Sequence, residues 1–331
     1  MSGVKDFKLA FSTDRNVGGT SATNGNPNAA EMNSDLSKWN VAEVTTMEKT
    51  FHGASKMNFD LSKWNVAEVT TMEKTFQGAS KMNVDLSTWN VAKVTTLAHT
   101  FASASNFAGT GLSSWNTASV TNLYGTFMSA SKMNSDLSKW NVGQVTTLQN
   151  TFCGAAKFAG TGLGLWDTAK VTSLHTTFRY AGTMNSDLSQ WNVAKVKELE
   201  YTFDSAYKFA GTGLSSWDIA KVNKMNYVFG WGPSTSSDRA PLTSCNKRRI
   251  ADAWTAASDP GGTKFIATSY GTDWAGETCA GATVTFNDAQ FKQASWGTYH
   301  TPPILFAPTT GSMTPRPPPP CGPLSFHLPL F

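Results

Sequence analysis

The chain has 331 residues, 40% apolar and 15% charged, and its 12 Trp and 20 Phe supply enough apolar surface for a sizeable core, which excludes disorder throughout. A formal charge of +4 over this length is too weak to point to nucleic acid, and four cysteines are too few for a disulfide framework. No run of about 18 apolar residues is present to span a bilayer, and Met1 to Phe7 has no apolar signal-peptide segment.

In chain order, Val4, Phe7 and Phe11 show steps of 3 and 4 that recur later as Val44, Met47 and Phe51, so the chain opens inside a repeat. Residues 12–30, rich in Gly, Asn, Ser and Thr, read as an inserted loop, making residues 1–31 a partial coil plus loop. An array opened in mid-repeat lacks a polar cap, which predicts either that the chain is an N-terminally truncated fragment or that an upstream module is missing.

Residues 32–232 are a tandem array. Trp39, Trp64, Trp89, Trp115, Trp140, Trp166, Trp191 and Trp217 are spaced by 25 or 26 residues, giving eight copies. The template, from the first copy, is Met32-Asn33-x-Asp35-Leu36-Ser37-x-Trp39-Asn40-Val41-x-x-Val44-Thr45-Thr46-Met47-x-x-Thr50-Phe51-x-x-Ala54-x-Lys56. Copies 32–56 and 57–81 differ only at Ser34/Phe59 and His52/Gln77, the mark of a recent duplication. From Lys132 the subtype Lys-Met-Asn-Ser-Asp-Leu alternates with Lys-Phe-Ala-Gly-Thr-Gly-Leu, whose extra residue is a turn glycine.

A 25-residue unit cannot bury its own apolar side chains, so the copies are expected to stack around one continuous core. The expected class is α/β: a right-handed solenoid like that of leucine-rich repeats, with about eight coils of 25–26 residues. The steps of 3 and 4 from Val44 to Ala54 predict a short helix. The Asp-Leu-Ser-x-Trp stretch predicts a short parallel strand stacked about 4.8 Å from its copies, for a rod on the order of 40 Å. The residue after each Trp (Asn40, Asn65, Asn90, Asn116, Asn141, Asp167, Asn192, Asp218) reads as an asparagine ladder that satisfies turning backbone.

After Phe229 the pattern breaks, and residues 233–285 read as a C-terminal cap. Cys245 to Trp254 is an amphipathic helix with Asn246 as its N-cap and Ile250 and Trp254 on one face. A disulfide between Cys245 and Cys279 would close a loop of about 35 residues, whereas a reducing compartment would keep both as thiols. Residues 286–331 begin like a further helix and then turn proline-rich, with Pro317 to Pro320 consecutive, a composition that does not pack a core.

No catalytic constellation is expected. The five histidines (His52, His99, His175, His300, His327) take different template positions, and no Walker loop, Gly-x-Ser-x-Gly or His-Glu-x-x-His occurs. The Gly-Thr-Gly at Gly109, Gly160 and Gly211 reads as a turn rather than a phosphate cradle. A calcium row on Asp35, Asp60 and Asp85 would be broken at Gly111. No cofactor or metal is expected.

Surface columns remain. The position after each Phe (His52, Gln77, Ala102, Met128, Cys153, Arg179, Asp204, Gly230) differs in every copy and reads as solvent-facing, with Cys153 a free thiol. One basic column gathers Lys170, Lys195 and Lys221, and a second Lys132, Lys157 and Lys208; on a shared face they would form a stripe suited to an acidic glycan or protein. Solvated lysines that prevent edge pairing are the plainer reading. The column Thr50, Thr75, Thr100, Thr126, Thr151, Thr177 and Thr202 matches in pattern the threonine arrays of ice-binding solenoids.

The template resembles the 25-residue repeat of BspA-like leucine-rich-repeat surface proteins, also found in mycoplasma-type surface lipoproteins, over residues 32–232. The resemblance implies a non-enzymatic scaffold at the cell surface or outside the cell, used for adhesion or protein binding. Many leucines of standard leucine-rich repeats are here Met, Val or Trp. The expected function is thus a binding or adhesion scaffold for a protein or acidic glycan, with a structural or ice-interacting surface as the alternative.

Overall fold

A computed structural model describes residues 4–14, 27–230, 240–257, 269–274 and 276–279. The chain divides into a unit Met1–Thr278 and a unit Cys279–Phe331, of which only Cys279 is among the described residues. The inserted loop at 15–26, the helix expected from Phe286 and the proline-rich segment lie outside them.

In the first unit each repeat lies beside its copies in parallel register. Single parallel bridges link Thr46, Thr71, Thr96, Asn122, Thr147, Ser173, Glu198 and Lys224 in succession, and Asp6 joins Thr46. The apolar template positions point inward: Leu61, Val69, Met72, Phe76, Ala79 and Met82 are all fully buried. Phe rings stack copy on copy at 5.6 Å from Phe51 to Phe178. Each indole from Trp64 to Trp217 donates from Nε1 to the carbonyl of the Leu one copy earlier, as in Trp140 to Leu112 at 2.9 Å. Residues 4–14 supply the second half of one more copy, with Phe11 stacked on Phe51 at 5.4 Å.

The helix expected from Val44 to Ala54 does not form. Every second amide leaves the local chain for the next copy: Met47 N donates to Thr71 O, Lys49 to Glu73, Phe51 to Thr75 and Gly53 to Gln77. The intervening amides close short turns, Thr50 N on Met47 O and His52 N on Lys49 O. This alternation requires left-handed backbone at two template positions. Leu9, Lys49, Lys74, His99, Asn150, Thr176, Tyr201 and Tyr227 hold φ of 53–60°, and the position four residues on is Gly53, Gly78, Ser103, Ser129, Gly154, Tyr180 or Ser205, also at positive φ. Such backbone costs non-glycine residues roughly 1–2 kcal/mol each, a cost offset by the amide ladder.

The Asp-Leu-Ser-x-Trp stretch is likewise a turn, with Trp64 N on Leu61 O, tightening to 3-10 at Leu112–Ser114, Leu163–Leu165 and Leu214–Ser216. The parallel bridges sit instead at the Thr46 column. Left-handed glycines introduce these tighter turns. Gly162 has φ of 90°, and a Cβ there would lie 2.1 Å from Ser138 N of the preceding copy.

Two polar columns differ from expectation. Asn40 and its counterparts each accept from the amide two residues on, a local turn. The ladder between copies belongs to Asn33: its Oδ1 accepts from Asn58 N, Asn58 accepts from Asn83 N, and Asn83 from Ala108 N. Where Ala replaces Asn, the Ala108 carbonyl takes over and accepts from Asn134 N. The Thr50 column is fully buried, which removes the ice-binding reading built on it. Thr100 Oγ1 reaches Met72 O of the previous copy, and each of the other hydroxyls lies between its own repeat's carbonyl and the previous one, as Thr151 Oγ1 does at 2.7 Å from Leu148 O and 2.9 Å from Leu123 O.

Helix α1 (Ser244–Ala257) packs on the last copy. Trp254 takes the place of a ninth repeat tryptophan, donating to Leu214 O at 3.0 Å and stacking on Trp217 at 6.4 Å. Thr243, not Asn246, caps the helix through its hydroxyl on Asn246 N. A side-chain donor at Asn246 is instead spent on Ala210 O at 2.7 Å, extending the asparagine ladder. In helix α2 (Ser269–Trp274), Tyr270 and Trp274 cover Phe229, and Tyr270 Oη donates to Gly230 O.

Candidate functional site

With the core positions held constant, variation is concentrated on the stretch from template position 46 to 53. Position 48 is Glu48, Glu73, Ala98, Tyr124, Gln149, His175, Glu200 and Asn226, and position 49 runs from Lys49 and Lys74 through His99 to Tyr201 and Tyr227. Parallel stacking sets these side by side. All five tyrosines of residues 32–230 (Tyr124, Tyr180, Tyr201, Tyr207, Tyr227) fall between template positions 48 and 55, so the face turns aromatic towards the C-terminal copies.

The side chains touch from copy to copy. The His99 ring meets Tyr124 edge-on at 4.8 Å, Asn150 donates to Tyr124 Oη, and Thr176 hydrogen-bonds Asn150. Gln149 reaches His175 Nδ1 at 3.4 Å, His175 meets Tyr201 edge-on, and Tyr201 stacks on Tyr227 at 5.1 Å. Arg179 is buried and ion-paired with Asp204 at 2.8 Å, its guanidinium 4.8 Å from the Tyr180 ring and 5.0 Å from Tyr201. Such cation–π contacts fix the rings. Burial lowers the His52, His99 and His175 imidazoles, His99 to about 4 with Lys74 adding to the shift, so these rings are neutral at pH 7. A row of oriented rings, amides and carboxylates is equipped for recognition.

The variable column after Phe is not solvent-facing. Ala102, Met128, Cys153, Arg179 and Asp204 are buried and His52 and Gln77 half-buried, so variability did not signal exposure. Cys153 is not a free thiol, nor are Cys245 and Cys279; Cys245 opens α1, and Cys279 falls in the second unit.

Lys170, Lys195, Lys221, Lys132, Lys157 and Lys208 are all exposed. Lys170 donates to Gln144 and Lys132 to Asn106, each one copy back in its own column. The columns start at positions 43 and 56, half a 25-residue circuit apart, which keeps them as two separate rows. Asp35, Asp60 and Asp136 each accept from a serine amide two residues on, which holds their carboxyls below the usual range. No group of three or more His, Cys, Asp or Glu converges among the described residues. An open groove of about 400 Å³ beside the turns is lined by Asp136, Thr161, Gly162, Leu165 and Asp187, with Leu165 74% exposed.

Sequence reasoning missed positions 48 and 49 because the copies were aligned on their constant residues. The signal was there in the tyrosine distribution. No helix among the described residues is long and apolar enough to cross a membrane.

No curated protein and no solved structure matches the chain. A family described as "Mycoplasma protein of unknown function, DUF285" matches three overlapping times, over residues 21–136, 85–162 and 123–240. These matches take in the whole stacked array and about two thirds of the 331 residues, and on that evidence the chain belongs to the DUF285 family of repeat proteins.

Proposed function

We propose that this chain is a non-enzymatic binding or adhesion scaffold, displayed at the cell surface or outside the cell, which holds a protein or acidic glycan on its variable face. Residues 32–232 act as a right-handed solenoid, and α1 closes its C-terminal end. The observation that carries this reading is the division of labour within the repeat: core positions such as 47, 50 and 51 recur in copy after copy, while positions 46, 48, 49, 52 and 53 between them change residue yet stay in register. A purely structural rod has no use for that difference. Membership of a mycoplasma repeat family and the resemblance to BspA-like surface proteins support the location.

The test is binding of the whole chain to an array of glycans and surface proteins in low and high salt, repeated with Tyr201→Ser and Tyr180→Ser. Loss of a specific signal in the tyrosine variants supports the face. A signal indifferent to them but salt-sensitive and lost in Lys170→Glu, Lys195→Glu and Lys221→Glu moves the site to the basic row. No binding across the array overturns the scaffold reading.

A further inference from the structure

A second feature lies on a different edge of the repeat. In the segment Glu43-Val44-Thr45, where the chain leaves the turn closed by Val44 N on Val41 O, the middle side chain is buried and the outer two are exposed, and every copy keeps this pattern. Positions 43 and 45 therefore form two adjacent exposed rows along the stack, copies being about 4.8 Å apart.

The inner row is neutral over six copies and basic at both ends, with Lys5 ahead of Thr45 and Lys197 after Thr172, where it falls opposite Thr45 and beside Glu43 in the pairing below. Thr45, Thr70, Thr95, Thr121, Thr146 and Thr172 are exposed, yet each hydroxyl already donates to a carbonyl of the preceding copy at 3.1–3.3 Å. That bond fixes the rotamer and leaves the γ-methyl as the group free to be covered. The outer row changes sign along its length: Glu43, Glu68, Lys93, Ser119, Gln144, Lys170, Lys195 and Lys221, the last lying beyond the seven copies paired below. Glu68 and Lys93 pair with each other at 2.7 Å, and Lys170 reaches Gln144; Glu43 and Lys195 have no such neighbour among the contacts of the described residues.

We propose that this edge is a self-complementary interface for a second copy of the chain, packed antiparallel about a two-fold axis through Ser119 and Thr121. With copy n facing copy 8 − n, Glu43 meets Lys195, Glu68 meets Lys170, Lys93 meets Gln144, and Thr70 and Thr95 face Thr172 and Thr146. The axis generates each heterologous contact twice. The sign pattern decides the orientation: a parallel pairing sets Glu43 on Glu43 and Lys195 on Lys195. The rows are narrow, so the dimer is weak and salt-sensitive. Its residues are separate from the variable face, and it holds whether or not that face binds a ligand.

The experiment is sedimentation equilibrium of the whole chain over a wide concentration range in low and high salt. The expected result is a mass rising from 35.6 kDa towards twice that value in low salt. Two charge-reversal variants, E43K/E68K and K170E/K195E, each weaken self-association by about tenfold or more. Mixing the two restores a dimer. All four positions are exposed, and unchanged tryptophan near-UV circular dichroism verifies that the variants fold. A monomer at every concentration in low salt overturns the proposal, even if the lysine row proves to bind a polyanion such as dextran sulfate. Self-association untouched by both variants, or mixed variants that fail to pair, overturns it equally.

Discussion

Thr151→Val probes the arrangement that most separates this repeat from a helical one. Valine nearly matches threonine in shape, so the substitution leaves no cavity and removes one hydroxyl. That hydroxyl is fully buried and shares its proton between Leu148 O at 2.7 Å and Leu123 O at 2.9 Å. Neither carbonyl is orphaned: Leu148 O keeps the Thr151 amide and the Thr177 hydroxyl, and Leu123 O keeps the amide and hydroxyl of Thr126. The loss is therefore one net buried hydrogen bond, about 1 kcal/mol, rather than the 1–3 kcal/mol of an unsatisfied group. In the double variant Thr151→Val, Thr177→Val, Leu148 O retains only an amide among these donors, so the cost exceeds twice the single value. Thr146→Val in the same repeat is the control. Its exposed hydroxyl bonds Thr121 O at 3.3 Å, water replaces it, and the change stays within about 0.5 kcal/mol. Urea unfolding followed by tryptophan fluorescence compares all three. Equal midpoints for Thr151→Val and Thr146→Val would refute the claim that the buried threonine column joins the copies.

Gly162→Ala, with positive φ and a Cβ 2.1 Å from Ser138 N, has to push two copies apart; a loss of about 3 kcal/mol or more is expected, read as a drop in the thermal midpoint. Gly182→Ala, with ordinary contacts at 3.5 Å and no positive φ, leaves the midpoint unchanged or raises it. His99 is lowered by burial from 6.5 to about 4, so the unfolded chain binds a proton in that window that the folded chain refuses. Its contribution is complete above about pH 6.5, falls as pH drops and levels off below about pH 4, a span below about 3 kcal/mol because solvent screens this half-buried ring. In His99→Asn, where Asn suits the left-handed backbone, urea midpoints at pH 7 and pH 4.5 should move closer together; an unchanged gap would count against this assignment. Trp254→Ala removes the last indole of the stack and is expected to cost about 3–5 kcal/mol, with hydrogen exchange rising first in residues 209–230.

The tryptophan spacing, the 25- and 26-residue subtypes and the inward columns at Leu36, Val44, Met47, Phe51 and Ala54 were readable from the sequence, because a stacked repeat writes its register directly as periodicity. The mid-repeat pattern of Val4, Phe7 and Phe11 was readable for the same reason. The backbone between those columns was not. Steps of 3 and 4 fit a helix and fit equally a run of turns with left-handed residues, and the left-handed sites hold Lys, His, Asn, Thr and Tyr, which do not announce such a conformation as glycine does. Polarity misled as well. Thr50 and its copies are buried because neighbouring repeats bring carbonyls to their hydroxyls, and the ladder runs through Asn33 rather than Asn40 because only Asn33 faces the amide of the next copy. Which side chains share a face is a property of the stack. The sequence by itself determined register and core, both set by local period and hydrophobicity. Tertiary structure alone decided where each polar group finds its partner, because those partners lie a full repeat away.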